Sequence, residues 1–307
     1  MGIIKQPENP RDANQLTRAY MDSILVEPRY LGSCTPDISM ELFGKRFSSP
    51  IMIAAFSHLS GTHTGGMPEM ARGAKLAGIC NWAGMGDEKE LSDILATGAE
   101  TIKIVKPYAN REAVFDMLEF AKRSGALAVG MDIDHSFDVR GKPDVVLGLE
   151  MKPVSEEELA DFVRATDLPF IVKGVLSEAD AEKCARAGVR GILLSHHHGI
   201  MPYAIPPLMA LPKIRAAIGN QMEIYVDCGI ETGCDAFKAL AMGAKAVCVG
   251  RSILPSLKEN GAQGVKEYVD NMADELRGMM ARTASRDLAH IAGDLLWDAS
   301  TGKKIVL

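Results

Sequence analysis

From residue 50 onward the chain repeats one arrangement. A short, nearly all-apolar run rich in β-branched residues ends in small or polar residues, and a longer amphipathic segment follows. The runs cover 50–57, 79–84, 101–107, 126–134, 169–175, 191–197, 223–229 and 246–252. They lack the alternation of a strand with one wet face, so they predict strands buried on both sides. The segments between them predict helices. Ser155 and Ser177 each stand three residues before an acid (Glu158, Asp180), the capping-box spacing, and Gly98, Gly125, Gly188, Gly219 and Gly243 stand where helices should stop. Within 110–124, Val114, Met117, Leu118 and Ala121 share one helical stripe.

Eight such units in succession predict parallel strands joined by right-handed crossovers. A doubly wound open sheet has the same alternation, but eight evenly weighted units favour an α/β fold of the (β/α)8 TIM-barrel type. The chain reads as one domain over 1–307, with an N-terminal extension (1–49), the barrel (50–285) and a helical tail (286–307). The stretch from Asp134 to Ser155 is the one long connection, a candidate loop over the barrel mouth.

Composition narrows the function. The 307 residues are 47% hydrophobic and 24% charged, as in a soluble α/β protein. Lys plus Arg (34) less Asp plus Glu (40) gives −6, which leaves no basic excess to displace counterions from a nucleic acid. The N-terminal MGIIKQPENPRDANQL has no apolar core of a secretory signal, and no apolar run approaches the ~20 residues of a membrane span. Six scattered cysteines form no C-x-x-C pair and read as reduced thiols. The expectation is a cytoplasmic protein with a small-molecule partner, no nucleic acid and no membrane.

A TIM barrel carries its site at the C-terminal strand ends. Taken in order, these offer Ser57 and His58; Cys80, Asn81 and Trp82; Lys106; Asp132, Asp134 and His135; Lys173; Ser195 to His198; Asp227; and Gly250 with Arg251. The last two turns, Asp227-Cys-Gly229-Ile-Glu-Thr-Gly233 and Val249-Gly250-Arg251-Ser252, have the grammar of a phosphate site. Glycine lets backbone N–H groups approach an anion, and a helix N-terminus adds positive potential. Lys173, between apolar neighbours, suits a Schiff base or a point charge beside an anionic ring. Of His196, His197 and His198, at most two can address one site, because successive residues point apart, so a metal site is not expected. One neutral imidazole at the mouth can take a proton near neutral pH. Trp82, Phe56 and the Met-rich helix near the C-terminus read as packing residues.

Together these residues resemble the FMN-dependent α-hydroxy-acid dehydrogenase and oxidase family. The similarity runs from about Ala19 to about Ile291 and is carried by ILVEPRYL with SSPIMIAA, by LPFIVKGVLSEADAEKCARAGVRGILLSHHHG, and by IYVDCGIETGCDAFKALAMGAKAVCVGRSIL. The resemblance implies FMN across the strand C-termini and, by family habit, a homo-oligomer, commonly a tetramer. It implies His197 as the base, Asp227 as the carboxylate that orients it, and Lys173 beside the flavin N1–C2 carbonyl region. It further implies Ser195 against the flavin, Gly229, Gly250 and Arg251 at the phosphate, Cys80 near the ring, and Ala55, Phe56 and Ser57 packed on it.

The departures fall on the substrate side. The family's carboxylate-clamping arginine, three residues after the base, is absent from His198-Gly-Ile-Met201-Pro, and its N-terminal tyrosine is missing. Ile104 and Lys106 stand for a Gln and a Tyr, Asp132 for a Thr, and Glu231 for a phosphate arginine. The loop after the fourth strand is shortened, and its Arg140 is a candidate replacement clamp beside Lys106, Asp132 and His198 as substrate contacts. The expected activity is oxidation of a CH–OH (or CH–NH) group on a substrate other than a simple L-2-hydroxy acid. An FMN-dependent isomerisation, a barrel without turnover and a lysine-dependent aldolase are the alternatives.

Overall fold

The computed structural model describes residues 7–305; the first six residues of the stretch read for a leader, and the last two of the tail, lie outside them. Eight parallel strands form one sheet: β1 (Ile51–Ile53), β2 (Asn81–Ala83), β3 (Thr101–Val105), β4 (Ala128–Asp132), β5 (Phe170–Val175), β6 (Gly191–Leu194), β7 (Glu223–Val226) and β8 (Ala246–Val249). Each lies inside one of the apolar runs. From β3 onward every strand pairs with its predecessor in sequence, and β8 returns to pair with β1. The β1–β2 seam is closed by a Phe56–Ala83 bridge and by Ile53 N–H donating to the Cys80 carbonyl at 3.0 Å. This is a (β/α)8 barrel.

Helix α1 (Ala13–Asp22) precedes the barrel, and α2 (Gly66–Ala77), α3 (Glu88–Leu95), α4 (Arg111–Arg123), α5 (Glu156–Arg164), α6 (Glu178–Arg186), α7 (Pro207–Ile218), α8 (Gly233–Ala241) and α9 (Leu254–Ala281) follow the strands. The Ser155 and Ser177 hydroxyls accept from the Glu158 and Asp180 amides, so both predicted caps form.

Strand residues alternate between two cores. Met52, Trp82, Ile102, Ile104, Ile171, Leu193 and Tyr225 fill the barrel interior, with Trp82 edge-on to Tyr225 at 5.7 Å between ring centroids. Their neighbours in the strands face the helices. Lys103 is a polar exception on that outer side. Its ammonium donates to the Gly84 and Gly86 carbonyls, and burial pulls its pKa down to about 8.

Two expectations are corrected. The tail is not helical: after α9 it makes two short 3-10 turns, then strand Leu296–Asp298 pairs antiparallel with Ile24–Val26 of the N-terminal extension. Leu295 and Leu296 are buried there, which gives the tail an apolar anchor. Cys80 stands just before β2, at its N-terminal end rather than its C-terminal end, so it lies fully buried in the inner core and not at the mouth. The long connection after β4 carries a small hairpin, Val145–Val146 against Leu149–Glu150.

Gly130 is the most closely approached glycine of the barrel strands, since a Cβ there would lie 2.1 Å from the Ile171 carbonyl oxygen on the paired strand. Gly130→Ala is expected to lower stability by about 3 kcal/mol through overpacking. Gly125→Ala, which faces open space at φ 85°, should lose about 1 kcal/mol. Urea midpoints of the two variants check the difference.

Candidate active site

The barrel brings Lys173, Asp134 and His197 together from the ends of β5, β4 and β6. Lys173 keeps only 5% of its side chain exposed, and its Nζ lies 3.7 Å from Asp134 Oδ2 and 3.0 Å from His197 Nδ1. Asp134 Oδ1 stands 2.8 Å from the same His197 nitrogen. Nδ1 cannot donate to Asp134 and accept from Lys173 at once; the shorter contact, to a carboxylate that only accepts, takes the Nδ1 proton, which leaves the lone pair on Nε2 and makes Lys173 a close cation rather than a hydrogen-bond donor to the ring. Burial alone would push the Asp134 carboxyl up, but the Lys173 ammonium and the His197 hydrogen bond outweigh it and hold it well below the ordinary range. Burial likewise works against the Lys173 cation, yet Asp134, Asp227 and Asp132 raise it above the usual lysine value. Lys173 and Asp134 are therefore both charged at neutral pH.

Local backbone makes this meeting possible. Gly174 adopts φ 98°, and a Cβ there would fall 2.7 Å from Asp134 Oδ2, so a side chain would displace the carboxylate. His197 and His198 sit at φ 48° and 58°, an unusual left-handed pair for non-glycine residues. The turn is fixed by Ser195 Oγ, which accepts from the His197 amide at 3.1 Å, and by His196 Nδ1, which accepts from the Gly199 amide at 2.9 Å. His196 is buried, with Nε2 2.8 Å from Thr17 Oγ1 of α1. It ties the N-terminal extension to the barrel and leaves the mouth to His197 and His198.

A cavity of 230 Å³ opens beside the cluster. Lys173, His197, His198 and Asp227 line one part of it, Ala55 and Phe56 another, and Gly229, Glu231, Gly250 and Arg251 a third. Partial burial lowers the Arg251 guanidinium, and no acidic neighbour among the described residues offsets this. The Ser252 hydroxyl beside it is buried with no hydrogen-bond partner among the described residues. Arg18 of α1 reaches the same cavity, but Asp235 binds it at 2.9 Å.

Several sequence expectations meet different geometry. Asp227 makes no hydrogen bond to His197 among the described residues; it accepts from Cys228 Sγ at 2.9 Å, and Asp134, at the end of β4, holds the imidazole instead. Ser195 is buried and braces the His197 turn rather than lining the cavity, and Ser57 also lies outside the lining. Lys106 is buried in an ion pair with Asp132 at 2.7 Å, so its charge is already taken. Arg140 is exposed on the loop and lines neither neighbouring cavity.

Asp134 and His135 stood among the strand-end residues, but their roles could not be read in sequence, because the partners lie far away along the chain. His135 Nε2 is 3.2 Å from His197 Nε2, and His135 Nδ1 is 2.9 Å from Asp144 Oδ2. Asp134, His135 and His197 offer three ligand atoms within 4.8 Å of one another, a gathering that sequence spacing did not show. The Lys173 ammonium already supplies positive charge to this group, and a dication beside it would meet strong repulsion.

The family model described as FMN-dependent dehydrogenase matches residues 8–157 and 150–298. The chain is 32% identical to 2-hydroxyacid oxidase 2 of Bos taurus, covering 93% of this chain and 89% of that protein. It is 29% identical to glycolate oxidase of Spinacia oleracea, covering 92% and 87%. Among solved structures, a mandelate oxidase variant with the monooxide FMN adduct superposes with a TM-score of 0.83 at 26% identity, over 93% of this chain and 91% of that one. No helix among the described residues is long and apolar enough to cross a membrane.

Asp134→Asn is expected to leave the buried Lys173 without its countercharge and to cost about 3 kcal/mol at neutral pH. Because folding depresses the Asp134 pKa, its stabilisation is complete above the ordinary carboxylate value near ~4 and is lost as the pH falls below it. The wild type should therefore lose stability on acidification more steeply than the variant does. Denaturation midpoints at a series of pH values read both effects.

Proposed function

The chain belongs to the FMN-dependent dehydrogenase family, and from that premise we propose that it oxidises a CH–OH (or CH–NH) group with His197 as the base, on a substrate other than a simple L-2-hydroxy acid. The cofactor is FMN. Three features of the chain itself fit it: the orphaned buried Ser252 hydroxyl, the uncompensated Arg251 guanidinium, and Gly250, where a Cβ would meet nothing within 4 Å. Arg251, Ser252 and the backbone of Gly229 and Gly250 would hold the phosphate. Ala55, Phe56 and Lys173 would stand at the ring. When bound, the flavin supplies a two-electron acceptor.

The rest is done by side chains. His197 Nε2 takes the hydroxyl proton, and Asp134 fixes the tautomer and balances the imidazolium that forms. Lys173 stays cationic and balances negative charge that builds in the cavity. The observation that carries this reading is the Lys173–Asp134–His197 cluster, with 3.0 and 2.8 Å to the imidazole, on the wall of the cavity that Gly250 and Arg251 also line.

The substrate assignment is supported by the lysines near His197, which are already matched, Lys106 by Asp132 and Lys173 by Asp134, while Arg251 is taken by the phosphate. A substrate carboxylate would enter without a free partner, and an unpaired buried anion is costly. An alcohol or amine with no carboxylate beside the reacting carbon suits the site better.

The protein should purify yellow, and an anaerobic screen of alcohols, amines, hydroxy acids and sugars should bleach it with a donor of that class. His197→Asn is expected to keep the flavin and slow bleaching by at least about a hundredfold. Arg251→Ala should weaken FMN binding by about tenfold or more, read by flavin fluorescence. A simple L-2-hydroxy acid that bleaches fastest would overturn the substrate assignment, and a product at the substrate's oxidation level would overturn the oxidation.

A further inference from the structure

Asp144, His135, His197 and Asp134 form one chain of contacts at 2.9, 3.2 and 2.8 Å. Both ends are carboxylates, so each terminal contact takes the Nδ1 proton of its imidazole. The two Nε2 atoms are then left facing each other. Two neutral imidazoles bring two protons, whereas three contacts need three. The 3.2 Å Nε2–Nε2 contact becomes a hydrogen bond only when one extra proton lies between the rings.

The pair also bridges two spaces. His197 lines the 230 Å³ cavity with Arg251 and Gly250, whereas His135 and Asp144 line a separate outer cavity of 1230 Å³ beneath the loop that follows β4. Lys106 and Lys173 face this pair as cations, and Asp132, Asp134, Asp144 and Asp227 as anions. Burial and Lys106 hold His135 below the usual imidazole range, against the pull of Asp144. A proton reaching His135 is therefore readily given up at neutral pH.

Resting on the reading of His197 as base, we propose that His135 relays the substrate's proton from His197 to solvent in the outer cavity, with Asp144 as the residue that fixes the His135 tautomer. The base-competent pair carries only its two Nδ1 protons. On oxidation the hydroxyl O–H bond breaks and its proton becomes the third, shared between the Nε2 atoms. Bound FMN would accept the two electrons together with the carbon-bound hydrogen. His135 then gives up its Nδ1 proton through Asp144, which lines the outer cavity, and regains its starting tautomer, so one proton enters and one leaves per turnover.

The test uses FMN-loaded protein, wild type, His135→Asn and His135→Gln. Histidine 15N NMR across a pH series should show the two rings titrating as one coupled pair, with the His197 signals altered in both variants. Two rings titrating independently in the wild type would overturn the shared proton, as would a stoichiometric bound metal that His135→Asn loses. With a donor that bleaches the flavin, His135→Asn should slow reduction at least about tenfold with KM unchanged, and imidazole in the buffer should restore the rate. A purely structural role for His135 would not be rescued in this way. Wild-type reduction by both variants would sink the relay and leave the base reading standing. If no donor bleaches the flavin, the base reading fails, and the NMR result still decides the shared proton.

Discussion

Lys173 is a lysine with 5% of its side chain exposed at the end of β5, and the mouth of the barrel is organised around making that cation tolerable. An isolated buried ammonium would lose its proton. Asp134 at 3.7 Å, with Asp227 and Asp132 around it, keeps the charge in place. The same Asp134 turns His197 so that Nε2 is its basic nitrogen. Charge retention and base orientation are thus one interaction, and Gly174 gives it room. Removing any one member leaves another buried and unmatched, which makes the cluster stiff as well as reactive.

The same rule accounts for the rewritten substrate side. Lys106 and Asp132 are both buried and satisfy each other at 2.7 Å, so neither is free to seize a ligand. Their pairing removes a cation from the mouth without exposing a new anion. At the opposite rim Glu231 is exposed to water, where a charge needs no partner, and Arg251 and Ser252 keep their hydrogen-bonding capacity open. Charges are paired at the proton-handling end of the cavity, and hydrogen-bonding groups are left available at the anion-holding end.

Half of the non-glycine left-handed residues among the described ones also fall near the mouth. His58, His197, His198 and Cys228 all occupy the left-handed region without being glycine, and each lies at or just beyond a C-terminal strand end. Such conformations persist where surrounding contacts over-determine them. For His197 those contacts are the Ser195 hydroxyl and the Asp134–Lys173 pair, and His198 is steadied by Asn14 of α1 through its carbonyl. The N-terminal extension therefore supports the site directly.

Local sequence sufficed for much of this. Continuous apolar runs located all eight strands, Ser155 and Ser177 located two helix starts, and the strand-end rule pointed to Lys173, His197, Gly250 and Arg251, because these signals depend on neighbours only a few residues away. The strand bounds within 79–84 and the fate of the tail were less legible: the apolar run does not show that β2 starts only after Cys80, and the tail's strand needs Ile24–Val26 as a template. Pairing was decided by tertiary structure alone. Asp134 rather than Asp227 holds His197, Lys106 is spent on Asp132, and His135 meets His197 across 62 positions. Sequence determines which groups arrive at the mouth of the barrel, but the twist and register of its strands set which carboxylate lies within 3 Å of which cation. At that range, in a buried site, a few tenths of an ångström and one ring tautomer fix the chemistry.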